Sequence, residues 1–110
     1  LKAPQARILA AQLRSSDLSA LPRIATSLLL AGGGNARLDA ELDGIEYPEL
    51  PWLLGLGNGL PAAPVVASQL GSARGASQRL FAFGHDAWKL SAYFDKLAKD
   101  PGASVQGVTG

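Results

Sequence analysis

At 110 residues, 47% hydrophobic and 17% charged, the chain has material for one small domain with an apolar core. Its formal net charge is +1 and its ten basic residues are scattered, so there is no electrostatic basis for binding nucleic acid or an anionic membrane surface. The lack of Cys excludes disulfides, thiolate zinc sites and thiol chemistry, and no apolar run approaches the ~20 residues of a membrane-spanning helix.

Leu1-Lys2-Ala3 leads into a helix start without an initiator Met, and Val108-Thr109-Gly110 ends as an extended segment begins. The chain therefore reads as a piece of a longer protein. Pro4 to Arg14 reads as a helix, because Pro at a first helical position forfeits no hydrogen bond and Ala6, Leu9, Ala10 and Leu13 share a face. Pro22 bounds a short strand over Arg23 to Ser27. Gly32-Gly33-Gly34 breaks the apolar run that follows. Asn35 to Leu42 reads as a short helix with Asn35 as its cap. Asp43-Gly44 signals a turn into a second strand, Gly44 to Tyr47, and Trp52 is expected to pack down after it. Helix, link, strand is the grammar of an α/β unit.

Residues 55 to 76 are rich in Gly and Ala and read as a flexible connection, with a short helix over Val65 to Leu70. Ser77 to Lys99 then reads as one long amphipathic helix, capped by Ser77 and stopped by Pro101-Gly102. Phe83, Ala87, Leu90, Phe94 and Leu97 recur at helical spacing, with Leu80 one turn earlier, and are expected to face the core. Arg79, His85, Lys89, Lys96 and Lys99 fall mostly on the opposite side. Gly84 costs about 1 kcal/mol relative to Ala inside a helix, and a close backbone approach by a neighbouring element would offset it.

Several motifs hint at chemistry and fail on inspection. Gly55-Leu56-Gly57-Asn58-Gly59-Leu60 lacks the third glycine of a dinucleotide fingerprint and runs into Pro61. Gly32-Gly33-Gly34 lacks the Lys-Ser/Thr of a phosphate-binding loop. Asp39 to Gly44 has the opening rhythm of a calcium loop, but Leu50 stands where the bidentate Glu belongs. His85, the single His, has no visible nucleophile or metal-ligand partners, so catalytic, metal and cofactor sites are expected to be absent. Two pairs remain as site candidates. Thr26 and Ser27, at the carboxyl end of a predicted strand, are where α/β sheets place ligands, although capping a turn is the commoner use of such hydroxyls. Asp86 and Trp88 are candidates for a lobe interface, with Asp86 bonding the backbone of another segment.

Four pieces in order carry a resemblance: Ala25-Thr26-Ser27; Leu42-Asp43-Gly44-Ile45 with Pro51-Trp52-Leu53-Leu54; Arg79 to Trp88 (RLFAFGHDAW); and Pro101-Gly102-Ala103-Ser104 with Gly107-Val108-Thr109-Gly110. Together they resemble the LppC/LpoA family of outer-membrane lipoproteins, which activate penicillin-binding proteins. The resemblance implies part of a type I periplasmic-binding-protein-like α/β fold: a helix, two short strands and a long C-terminal amphipathic helix. It further implies a non-catalytic regulator of peptidoglycan synthesis that docks on a bifunctional penicillin-binding protein. The protein would be periplasmic, held at the outer membrane by a lipid upstream of these residues. The alternative is a periplasmic receptor for an amino-acid-like ligand, which needs polar groups converging in a cleft; an enzyme acting on peptidoglycan lacks a catalytic set here. Severed from its other lobe, the chain is also expected to self-associate, for instance by exchanging the long helix.

Overall fold

A computed structural model of the chain describes residues 1–29, 35–57 and 59–110. The Gly32-Gly33-Gly34 break and Asn58 of the glycine-rich run lie outside the described residues. Two compact units are present, Leu1–Pro48 and Glu49–Gly110, each with its own small core.

The first unit begins with α1 (Ala3–Arg14), entered through Pro4 as the sequence predicts. Its inner face is small: Ala3, Ala6 and Ala10 are buried, whereas Leu9 is exposed. Ala3 and Ala6 form a cluster with Leu29 and Leu42. Two arginines tie the helix down. Arg7 Nε donates to the Leu38 carbonyl at 3.0 Å, and a terminal nitrogen of Arg14 donates to the Glu41 carbonyl at 2.8 Å.

The strands are shorter than expected, β1 being Arg23–Ile24 and β2 Ile45–Glu46. They pair in parallel, Arg23 opposite Ile45 and Ile24 opposite Glu46. The Ala25 amide extends the ladder by donating to the Glu46 carbonyl at 2.8 Å. Parallel neighbours need a crossover, and α2 (Ala36–Asp39) lies within it, followed by a 3-10 turn over Ala40–Leu42. Asn35 does cap α2, its Oδ1 accepting from the Leu38 amide at 3.3 Å.

The second unit is built around Trp52, which is 1% exposed. Its ring packs with Ala63, Val66, Ala73, Ala82 and Val108, and its Nε1 donates to the Pro61 carbonyl at 2.8 Å. Three of those five neighbours come from residues 55 to 76. Ala63 and Val66 belong to α3 (Ala63–Gln69), and Ala73 to a 3-10 turn over Gly71–Ala73.

The predicted long helix departs from expectation in three ways. First, it is two helices, α4 (Ser77–Ser91) and α5 (Phe94–Lys99). At the break the Ala92 and Tyr93 amides bond three residues back, to Lys89 and Leu90, and Ser91 Oγ donates to the Trp88 carbonyl at 2.6 Å. A hydroxyl competing for helix carbonyls in the last turn tightens and ends an α-helix. Ser77 does not cap α4: Ala76 occupies the cap position, with no side-chain bond.

Second, the helix is turned over. The expected core stripe faces out, with Leu80 72%, Phe83 66% and Phe94 66% exposed, while the buried residues of α4 are Ala82 and Asp86. Arg79, His85 and Lys89, expected on the solvent side, are partly buried. The reason is that the inner positions have fixed polar partners. The Arg79 guanidinium pairs with the Glu49 carboxylate, its Nε donating to Oε1 at 2.9 Å. Lys89 Nζ donates to the Gln106 carbonyl at 2.8 Å. Third, among the described residues no element approaches Gly84: a Cβ added there meets nothing within 4 Å. The close approach falls instead at Gly107, opposite Asp86.

Candidate functional site

Asp86 is the single buried charged residue among those described, at 8% exposure. Helix α4 aims its carboxylate at the last four residues of the chain. The Val108 amide donates to both oxygens at 2.9 Å, and the Thr109 amide donates to Oδ2 at 2.8 Å. Thr109 Oγ1 also donates to Oδ2, at 2.6 Å, and His85 Nδ1 lies 3.3 Å from Oδ1. This is an anion cradle made of two successive backbone amides and a hydroxyl, closed by the acid of a neighbouring helix. Gly107 makes it possible. A Cβ at that position would lie 2.4 Å from Asp86 Oδ2 and 2.9 Å from its Cγ.

The cradle continues into the core. Val108 is fully buried, and its carbonyl accepts from the Trp52 amide at 3.2 Å. Three stretches distant in sequence are thus tied together: Pro51-Trp52, His85-Asp86 and Gly107-Val108-Thr109. Sequence reading named Asp86 and its use of another segment's backbone. It missed Gly107, Val108 and Thr109 as that segment, although the closing Gly-Val-Thr-Gly was a visible signal, and it missed the Glu49–Arg79 pair.

Burial by itself pushes the Asp86 carboxyl up. The Thr109 hydroxyl, the Val108 and Thr109 amides and the His85 ring together outweigh burial and hold it down to about 2, against an ordinary 3.8. A carboxylate depressed in the folded state adds stability above its unfolded value and loses it as pH falls toward the folded one. Unfolding free energy is therefore expected to be insensitive to Asp86 above about pH 5 and to drop by roughly 2 kcal/mol between pH 4 and pH 2. Urea titrations across that range check this, and an Asp86→Asn chain with the same acid slope would sink it.

The other candidates are placed differently. Trp88 is 75% exposed, its ring centroid 6.4 Å from that of His85 and its body in solvent. Thr26 is exposed, its carbonyl accepting from the Leu29 amide at 3.0 Å, and Ser27 opens a 3-10 turn over Ser27–Leu29. They belong to the first unit, Asp86 and Trp88 to the second. Two cavities among the described residues lie in the first unit. One of about 460 Å³ is lined by Leu29, Asp39, Leu42, Asp43 and Tyr47 among others, and one of about 260 Å³ includes Ala6, Ala10 and Arg23. Neither is lined by Thr26 or Ser27. Among the described residues no three His, Cys, Asp or Glu side chains are grouped to hold a metal ion, and no helix is long and apolar enough to cross a membrane.

Comparison with known proteins gives a consistent picture. The sequence profile of the family described as "LppC putative lipoprotein" matches residues 2–110. Among curated proteins, the penicillin-binding protein activator LpoA of Enterobacter sp. (strain 638) is 32% identical over 101 residues, covering 89% of this chain and 13% of that protein. The protein of the same name from Pantoea ananatis is 30% identical over 98 residues, covering 89% and 14%. That from Erwinia tasmaniensis is 30% identical over 103 residues, covering 94% and 15%. The chain spans about one seventh of the length of these relatives. No solved structure matches significantly.

Proposed function

Because the chain belongs to the LppC lipoprotein family, we propose that it is part of a non-catalytic activator that docks on a bifunctional penicillin-binding protein and raises its peptidoglycan cross-linking rate. The observation that carries this reading is the match along nearly the whole chain to relatives named penicillin-binding protein activators. The chemistry of Asp86 supports a non-catalytic role. Both of its oxygens accept from Val108 or Thr109, its pKa is depressed, and a general base needs a free lone pair and a pKa nearer the working pH.

The full fold is read as a type I periplasmic-binding-protein-like domain. Parallel pairing of β1 and β2 across an intervening helix is the βαβ grammar such lobes are built from. Asp86 and Trp88 then belong to an element that meets the rest of the domain, and Thr26 and Ser27 stand where such a lobe would present a ligand's contacts. The compartment is periplasmic, at the outer membrane, through a lipid carried elsewhere in the protein.

The test is binding of the protein to a bifunctional penicillin-binding protein, with transpeptidase turnover measured in the same samples. Saturable binding with raised turnover is expected. Absence of both would overturn the activator reading in favour of a receptor, which a thermal-shift screen of amino acids and peptidoglycan fragments would then address.

A further inference from the structure

Arg23 carries a charge with nothing to balance it. The residue is half-buried, yet its Nε and Nη1 are buried and have no hydrogen-bond partner among the described residues. A guanidinium stays charged at any working pH, and a buried charge left unpaired costs several kcal/mol. The chain's own acids do not supply the counter-charge. In the parallel register Arg23 stands opposite Ile45 and Ile24 opposite Glu46, so Glu46 points to the other face of the strand pair. Asp39 is taken by Arg7, at 3.8 Å. Residues 30–34 and 58, outside the described residues, are Leu, Ala, Gly and Asn, none of them acidic.

We propose that Arg23 is one half of an ion pair whose carboxylate, an Asp or Glu side chain, comes from another segment of the same full-length protein. Three observations select that occupant. The first is chemistry: buried N–H donors on a planar cation call for an anionic oxygen, and a carboxylate matches the guanidinium fork. The second is space. Arg23 lines the cavity of about 260 Å³, whose other lining residues, Leu13 and Ile45 among them, are all apolar. That is smaller than the ~300–1,000 Å³ of ligand pockets, and one cation without converging polar groups does not orient a free metabolite. It suits a single inserted side chain. Gly44 keeps one approach clear, since a Cβ there would stand 3.1 Å from Arg23 Nη2. The third is the surface around the site. Leu9 and Ile24, which also line the cavity, are 40% and 79% exposed. Apolar surface beside an unpaired cation is covered by more polypeptide, not by water, and the matching relatives are about seven times as long as this chain.

The test uses the full-length protein that contains these residues, with no penicillin-binding protein present, so its failure leaves the activator reading untouched. Amide exchange is read by mass spectrometry at Ala25, whose N–H extends the β1–β2 ladder. Arg23→Met keeps the bulk of the stem and strands the carboxylate. Ala25 is then expected to exchange at least roughly a hundred-fold faster, the usual result of removing one partner of a buried pair. Arg23→Lys keeps the charge and is expected to retain most of the protection, which a side chain serving only to pack would not do. Protection in Arg23→Met as good as in wild type, or equal losses in both variants, overturns the proposal. So does protection that appears in the wild type alone and only when acetate is added, which gives the guanidinium to a free carboxylate instead.

Discussion

Asp86→Asn is expected to destabilise the Glu49–Gly110 unit by roughly 3 kcal/mol, more than a surface carboxylate could account for. Asn has nearly the shape of Asp, so packing is unchanged; what changes is donor and acceptor chemistry. The carboxylate accepts from the Val108 amide, the Thr109 amide and the Thr109 hydroxyl. Asn has one acceptor oxygen and an NH₂ that must point at some of the same donors. At least one buried backbone N–H is then left facing another donor, at about 1–3 kcal/mol, and the charge-assisted bonds lose their strength. The measurement is urea unfolding by far-UV circular dichroism, with amide exchange at Val108 and Thr109 read by NMR. Those two amides should exchange much faster even under conditions where α4 stays folded. An unchanged midpoint with unchanged protection would show that the cradle is incidental to stability.

Trp52→Ala is expected to cost more, roughly 4 kcal/mol, within the range for large-to-small aromatic truncation in a core. The neighbours make a mild outcome hard to reach. The ring is surrounded by Ala63, Val66, Ala73, Ala82 and Val108, with Phe81 at 5.7 Å between ring centroids. Alanines have no rotamers with which to fill the void, and the Ala82 and Ala73 positions are already fully buried. The indole also donates to the Pro61 carbonyl, which would lose its partner. A unit of this size carries marginal stability, on the order of 5 kcal/mol, so the variant's Glu49–Gly110 unit should keep only about 1 kcal/mol and leave roughly one molecule in six unfolded. Thermal melts of wild type and Trp52→Ala by circular dichroism check this. A melting shift of only a few degrees would mean that the alanine shell collapses onto the gap. The two predictions are coupled, because the Trp52 amide donates to the carbonyl of Val108, the residue whose own amide Asp86 holds.

These two anchors also explain how much of the protein could be read in advance. Local rules worked where the deciding partner is close in sequence. Pro4 opened α1, Asn35 capped α2 through the Leu38 amide three residues on, and Asp43-Gly44 turned the chain into β2. Ordered motifs worked too, since the family of the chain is legible in Pro51-Trp52, in Arg79 to Trp88 and in the closing Gly-Val-Thr-Gly. Periodicity also located the apolar stripe of α4 at the right angular positions.

What periodicity cannot supply is the direction in which a stripe faces, because a helical pattern has no memory of where the rest of the chain lies. That was decided by partners 17 to 30 residues away: Gln106 for Lys89, Val108 and Thr109 for Asp86, and Glu49 for Arg79. Each of these polar bonds satisfies a group that burial would otherwise leave costly. Together with Ala82, small enough to let the backbone in, they turn the charged side of α4 inward. The sequence by itself determined the family, the helix and strand types and the stripe. Only the tertiary structure decided that the stripe faces out, since that choice rests on hydrogen bonds between residues no local window contains.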